Sequence, residues 1–293
     1  MPTGTPEDAE DWNDDLLDDH HPFIERAIGM KIDRRLGCGA WGCVYETDAP
    51  WVVKFTLDPP EPHVWALVMD VVRGSQSAQA GVVRVRNLYQ LEPPIEIDYE
   101  NWTVFAVVRE AVHPVFKRGR KLTDFTVAKV GLPEEDFVYS MPGEHVQVQR
   151  WGPRRVRLSA PSLALHMGGL DAEQRESVRD FEFTVQLLGQ YKNAARSLIH
   201  RRDPRDTEHM RLLLDELRRL EHGRGLAQTL DALGSRGVWL ADLHRFNIGW
   251  RANRRAPGFA NQPETIVVFD VGATAVEPVE IPFETRRFEN PII

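Results

Sequence analysis

Residues 36–45 read Leu-Gly-Cys-Gly-Ala-Trp-Gly-Cys-Val-Tyr, a glycine-rich turn between two predicted strands. Gly37, Gly39 and Gly42 lack the side chains that would keep the backbone away from a polyphosphate, and free amide groups in such a turn can bind anionic oxygens. Trp41 at the tip could close over a nucleotide. Taken alone, the turn is better explained as an ordinary hairpin that needs glycine for its backbone conformations.

Outward from this turn, the pattern predicts three antiparallel strands, the third over Trp51–Thr56. A helix with periodic apolar residues follows from about Pro60 to Val71, since proline is well tolerated at a helix start. Two more strands are predicted at Val82–Leu91 and Trp102–Val108, separated by a Pro-Pro turn at 93–94. The first part of the chain therefore reads β-β-β-α-β-β.

Residues 109–114 interrupt the strand pattern, and we place a boundary between two lobes there. Residues 115–170 carry several Pro and Gly, basic clusters and short β-like runs, and they indicate no clear structure. From Asp171 onward, apolar residues recur at steps of three and four, which predicts helices near 181–198, 206–222 and 225–233. We expect the last of these to be closed by Gly234.

Four polar residues occur where the surrounding sequence is apolar or turn-like. Lys54 ends an apolar strand, where a charge is costly unless it is paired. Asp242 and Asn247 share a loop, and Asp270 follows the buried-looking strand 265–269. An aspartate can orient or deprotonate an attacking hydroxyl, and hard oxygen ligands suit Mg²⁺. Each residue also has a plainer interpretation, such as an exposed strand-end lysine or a turn-forming Asp before Gly.

Together, the glycine-rich hairpin, the strand lysine, the Asp-x4-Asn loop and the strand-end Asp-x-Gly resemble the protein kinase-like superfamily, over about residues 34–112 and 210–275. The resemblance implies an α+β, two-lobed fold with a small antiparallel-sheet N-lobe and a mainly helical C-lobe. The expected divisions are an acidic mobile tail at 1–20, an N-lobe at 21–112 and a C-lobe at 113–293, the last comprising an insertion at 113–170, helices at 171–235 and the catalytic loop and metal-binding strand at 237–275.

By this resemblance, the cofactors are ATP and Mg²⁺. The catalytic residues implied are Asp242, which orients or deprotonates the acceptor hydroxyl, Lys54, which holds the phosphates, and His244 of the catalytic loop. Asn247 and Asp270 match the two magnesium ligands. The nucleotide-binding positions implied by the resemblance are Gly37, Gly39, Trp41, Gly42, Val44, Lys54 and Glu61, with Glu110 and Val112 at the adenine-binding linker.

Several positions depart from ordinary protein kinases. Leu240-Ala241 replaces the His-Arg before the Asp, and His244 replaces the usual Lys, so the loop looks more like that of aminoglycoside and other small-molecule phosphotransferases. The helix glutamate that pairs with Lys54 is expected to be Glu61, with Asp70 as the rival. No Ala-Pro-Glu segment follows Asp270, so the C-lobe is expected to lack the usual C-terminal helices and to be built from residues 115–235.

We therefore expect a kinase whose acceptor is a protein Ser or Thr. A small-molecule hydroxyl is the alternative acceptor, a nucleotide-binding pseudokinase is the alternative function, and an unrelated α+β protein would require the motif order to be accidental. The net charge of -8 argues against a nucleic-acid partner, and no apolar run approaches the length of a membrane span. The acidic tail is either a solvated leader or a contact for a basic partner.

The only two cysteines, Cys38 and Cys43, flank the glycine turn. So few cysteines argue against a disulfide scaffold and favour a reducing, cytoplasmic compartment. The alternative is a redox latch on the nucleotide loop, since the two thiols could approach each other in a hairpin.

Overall fold

The computed structural model describes residues 22, 24–39, 42–92, 94–97, 100–117, 121–132, 170–201, 204–243, 245–251, 265–271 and 284–287. The chain is an α+β protein, as predicted. Several predicted features lie wholly or largely outside the described residues. They are the acidic tail, Trp41, His244, most of the 113–170 insertion and the segment after Asp270, which was expected to lack helices. No helix in the described ranges is both long and apolar enough to cross a membrane.

The first part of the chain forms a mainly antiparallel sheet. Its strands are β1 (Ile32–Gly39), β2 (Gly42–Thr47), β3 (Trp51–Thr56), β4 (Val85–Glu92) and β7 (Phe105–Glu110). The order is β1-β2-β3-β7-β4, and β13 (Glu284–Arg287) adds a parallel strand beside β4. Every residue of β7 is buried, because the strand lies in the middle of the sheet with apolar clusters on both faces.

The predicted order β-β-β-α-β-β holds for the strands of the main sheet, with corrected bounds, but a two-stranded hairpin that was not predicted lies between the last two of these strands. The helix α1 (Pro60–Val72) begins at the predicted proline. The fourth strand begins at Val85 instead of Val82, whose backbone forms a parallel bridge with Val268. The fifth begins at Phe105 because Trp102 belongs to a separate hairpin of β5 (Ile95–Ile97) and β6 (Glu100–Trp102). The run of apolar residues from Trp102 to Val108 was therefore predicted as one strand, because the sequence does not show that the chain passes from one sheet to another within it.

The second part is mainly helical. Its long helices are α3 (Ala172–Arg201), α4 (Pro204–Arg219) and α5 (Arg224–Gly234), in agreement with the predicted apolar periodicity, and a short helix, α2 (Asp124–Val130), precedes them. The predicted closure of α5 by a left-handed Gly234 is wrong, since the left-handed glycine is Gly237 with φ +74°. Glycine is required at 234 for space, because an added Cβ would collide with the Trp239 ring.

Short strands join the two parts. β8 (Val112–Pro114) pairs with β11 (Ile248–Arg251), which pairs with β12 (Ile266–Val268), while β9 (Phe116–Lys117) and β10 (Lys121–Leu122) form a small ribbon. A 3₁₀ turn, Arg245–Asn247, directly precedes β11. The loop with Asp242 and Asn247 is therefore anchored to the same three-stranded sheet that receives the chain as it leaves β7.

The segment between α1 and β4 is bonded to the helical part. Thr229 of α5 accepts a hydrogen bond from Gly81 N–H at 2.8 Å and donates one to the Ala78 carbonyl. Gly81 has no room for a Cβ because the backbone of α5 lies against it. These contacts fix the segment that follows α1 against α5.

Candidate active site

Lys54 lies inside the protein and bridges two carboxylates. Its Nζ is 2.9 Å from Glu61 Oε1 and 2.7 Å from Asp270 Oδ2. The lysine comes from β3, the glutamate from the first turn of α1, and the aspartate from the residues after β12. Burying one ammonium group is costly, and two adjacent carboxylates offset that cost. Three predicted site residues that are distant in sequence are thus brought together.

The glutamate partner of Lys54 is Glu61, whereas the rival Asp70 is exposed near the end of α1. Helix α1 begins only four residues after β3, with prolines at its start that favour early helix entry. This short connection places the first turn of the helix over the end of the strand, so a glutamate in that turn reaches Lys54. The short connection explains why Glu61 can pair with Lys54 although it follows the lysine by few residues in the sequence.

Burial and opposite charge act together on these groups. Burial by itself would lower the pKa of Lys54, but Glu61 and Asp270 outweigh it and hold that pKa above its ordinary value. Burial raises the pKa of Glu61, and Lys54 opposes that rise. Lys54 therefore stays cationic in the folded protein and is suited to bind anionic phosphate oxygens.

Asp242 is held by two other side chains. Asn247 Nδ2 donates to the Asp242 carbonyl at 2.9 Å and to its Oδ2 at 3.3 Å. Arg196, from α3, donates through Nη2 to Asp242 Oδ1 at 3.1 Å and through Nε to the Ala241 carbonyl at 2.8 Å. The carboxylate is partly exposed, so it can reach a solvent-side hydroxyl while its orientation is fixed.

The two predicted magnesium ligands lie at the ends of paired strands. Ile248 pairs with Val268, and Phe269 N–H donates to the Asn247 carbonyl at 2.9 Å, so Asn247 lies opposite Phe269, the residue before Asp270. Asn247 Nδ2 faces Asp242, which leaves its amide oxygen as the ligand atom. Carboxylate and amide oxygens fit Mg²⁺, whose remaining ligands are usually phosphate and water. No group of three or more His, Cys, Asp or Glu suited to a metal occurs within the described residues.

Asp58 is a further carboxylate near this cluster that sequence reasoning missed. It follows β3, and its N–H donates to Thr56 Oγ1 at 3.1 Å. Partial burial and the nearby Glu61 raise the pKa of Asp58 to about 6, against the opposing effect of Lys54. A lone Asp before two prolines reads as an ordinary turn residue, so the sequence carries no signal for this position.

The glycine turn forms the hairpin between β1 and β2. Gly37 pairs with Val44 and Gly39 with Gly42, and Val44 in turn pairs with Lys54, which places the turn beside the lysine. A Cβ on Gly42 would collide with the Phe55 backbone, whereas none of the described atoms lies within 4 Å of one on Gly37. Glycine is therefore required at 42 for packing, while position 37 has room for a larger residue.

The two cysteines form a disulfide, Cys38–Cys43. The expectation of free thiols was wrong because the β1–β2 register places these residues directly opposite each other, with Cα atoms 4.1 Å apart. The bond spans the turn between Gly39 and Gly42 and therefore links the two arms of the candidate phosphate loop.

The predicted adenine-binding linker is only partly suited to that role. Glu110 N–H donates to the Arg84 carbonyl at 2.8 Å, and the Glu110 side chain is buried against Arg251 with Oε1 2.8 Å from Nε. Val112 lies opposite Arg251 in the β8–β11 ladder. Hydrogen-bonded and non-hydrogen-bonded pairs alternate along this ladder, and Val112–Arg251 is a pair without backbone hydrogen bonds. The N–H and C=O of Val112 consequently point away from β11, as a backbone-binding position requires. Val112 remains a candidate, whereas Glu110 has a structural role.

Arg196 and Arg251 were also missed. Both act over long sequence separations, and an arginine on a helix or at a strand end is common in any soluble protein.

Compared with models of known protein families and with curated proteins, the chain matches none of them.

Proposed function

We propose that this chain is an ATP- and Mg²⁺-dependent phosphotransferase with a two-lobed, protein kinase-like arrangement, which transfers the γ-phosphate of ATP to a hydroxyl group. One observation carries the proposal: Lys54 joins Glu61 and Asp270 in a single ion-pair cluster, and the strand pair that leads to Asp270 also anchors the Asp242–Asn247 loop. A buried cation beside hard oxygen ligands and an oriented carboxylate is a set of groups that phosphoryl transfer can use.

Each residue has a defined task in this proposal. Lys54 binds phosphate oxygens and Glu61 keeps the ammonium group in place. Asp242 accepts a hydrogen bond from the acceptor hydroxyl and takes its proton as the bond to phosphorus forms. Asp270 and the amide oxygen of Asn247 would hold Mg²⁺, which supplies charge neutralisation for the phosphates when bound.

The preferred acceptor is a Ser or Thr hydroxyl of a protein, and a small-molecule hydroxyl is the alternative. Leu240-Ala241 precedes Asp242 where ordinary protein kinases carry His-Arg, and this departure favours the small-molecule alternative. A pseudokinase that binds nucleotide without turnover is the competing function. The orientation of Asp242 by Asn247 and Arg196 argues against it, because nucleotide binding alone does not require an oriented carboxylate at the catalytic-base position.

The test incubates the full chain with Mg-ATP labelled at the γ-phosphate and follows ADP release and label transfer. The acceptors are the chain itself, a mixture of unfolded proteins and a panel of hydroxylated small molecules. Wild type is compared with Asp242→Asn, which keeps the shape of the side chain, and with Asp231→Asn, a control on the exposed pair with Arg218. We expect Asp242→Asn to lower turnover by about 10²–10⁴-fold with nucleotide binding retained, because a positioned base contributes that much.

The outcomes separate the alternatives. Nucleotide binding without turnover in wild type would support the pseudokinase and refute the enzyme. Absence of Mg-ATP binding in wild type, with Lys54→Met giving the same result, would refute both. Transfer to protein hydroxyls or to one class of small molecule identifies the acceptor.

A further inference from the structure

Arg196 reaches the catalytic-loop motif from a different part of the chain. It lies in the last third of α3, 46 residues before Asp242, and contacts two consecutive residues of the loop. Its Nε donates to the Ala241 carbonyl at 2.8 Å and its Nη2 donates to Asp242 Oδ1 at 3.1 Å. One planar guanidinium therefore holds the loop backbone and the carboxylate at the same time.

The geometry assigns Arg196 as the positioning residue for Asp242, a role that rests on the proposed phosphotransfer function. Asn247 Nδ2 holds Asp242 Oδ2, and Arg196 holds Oδ1, so the carboxylate is fixed from two sides. Each carboxylate oxygen has two lone pairs, which leaves acceptor capacity for the substrate hydroxyl.

Stability is a poor explanation for this ion pair. The side chains are 49% exposed for Arg196 and 26% exposed for Asp242. Ion pairs with that exposure contribute little to stability, because water screens them and two flexible side chains must be ordered. A fixed arginine at this position therefore contributes mainly to the direction in which Asp242 points.

The type of cation also matters. A lysine ammonium is a point charge on a flexible stem, and it cannot reproduce two contacts made by one rigid fork. Arg196 lies on α3, so the cation beside Asp242 comes from outside the Asp242–Asn247 loop.

The test compares wild type with Arg196→Ala, Arg196→Lys and the control Arg179→Ala, which removes another half-exposed arginine from α3. We measure kcat, the KM for Mg-ATP and the melting temperature. Arg196→Ala should lower kcat by about 10–100-fold, the loss expected when a reacting group is displaced by about 1 Å. The KM for Mg-ATP and the melting temperature should change little, and Arg196→Lys should recover only part of kcat.

Chemical rescue gives a readout that a purely structural role would not move. Guanidinium chloride at about 20 mM, far below the molar concentrations that unfold proteins, should raise kcat of Arg196→Ala and leave Asp242→Asn unchanged. A kcat of Arg196→Ala within about twofold of wild type, or a loss shared equally by Arg179→Ala, would overturn the positioning role while the enzyme proposal stands. A wild-type chain without turnover would overturn both.

Discussion

Replacing Arg251 with Met should destabilise the fold more than any surface arginine replacement. The Arg251 and Glu110 side chains are 5% and 3% exposed, and Nε lies 2.8 Å from Glu110 Oε1. The same guanidinium donates to the Val82 carbonyl at 2.7 Å and to those of Gln79 and Ala80 at 3.3 Å. Glu110 Oε2 accepts from Arg84 N–H at 3.0 Å, so the carboxylate cannot turn away when the arginine is removed.

The magnitude follows from what remains buried. Methionine fills much of the volume of the arginine stem but leaves Glu110 without its cation, and removing one partner of a buried pair costs about 3–5 kcal/mol. Changing Glu110 to Gln as well removes the buried charge and should return part of that loss. The two effects should therefore be non-additive by about 1–3 kcal/mol.

Urea unfolding of the two single variants and the double variant, followed by circular dichroism, measures these free energies. Arg219→Met is the control, because Arg219 pairs with Glu216 at 2.8 Å on the surface and should contribute at most about 1 kcal/mol. A loss below about 1 kcal/mol for Arg251→Met, or strict additivity with Glu110→Gln, would refute the account of this pair as a buried link between the sheet and β11.

Two other predictions concern pH and redox state. Burial lowers the pKa of His222, against opposing effects from Asp180 and Glu221, so below about pH 6.5 the unfolded chain takes up a proton that the folded chain resists. Unfolding free energy should therefore fall on acidification, by at most about 1.4 kcal/mol per pH unit from this group, and His222→Gln should remove that part. The Cys38–Cys43 disulfide should show as a loss of two hydrogens in the intact mass, and Cys38→Ser should cost about 2 kcal/mol through lost loop closure.

Controls for these two predictions use the same variants under other conditions. A stability difference between wild type and His222→Gln that stays constant from pH 8 to pH 5 contradicts the histidine account. A cost of Cys38→Ser that persists unchanged under a strong thiol reductant contradicts the disulfide account, because the reductant should bring wild type down to the level of the variant.

Local patterns predicted the sheet and the long helices because those elements are set by periodicity within short windows. The helix α1 was predictable from Pro60 and the spacing of its apolar residues, and its buried face matches that pattern. The sequence favoured Glu61 over Asp70 only slightly, since Glu61 follows Lys54 more closely than the resemblance implies. Three-dimensional geometry decides it, because the short β3–α1 connection brings the first helical turn over Lys54.

Contacts between distant residues that belong to no motif could not be predicted from the sequence. Arg196 lies 46 residues from Asp242, and Glu110 lies 141 residues from Arg251, so no local window contains either pair. The reason for glycine at position 234 also depends on a contact that the sequence does not show. A glycine at a helix end predicts a left-handed cap, but its actual reason is the Trp239 ring, which packs where a Cβ would lie.

The buried link at Arg251 bears directly on the candidate site. Arg251 and Thr229 hold the segment after α1 against β11 and α5, and this fixes α1 with Glu61 already paired to Lys54. No swing of the helix is then needed to assemble the pair. Lys54 has three donor hydrogens, so it can keep Glu61 while exchanging its contact with Asp270 for a phosphate oxygen. On the proposed function, Lys54 therefore needs to exchange only its contact with Asp270 when a phosphate binds, and loosening Arg251 should impair the site as well as the fold.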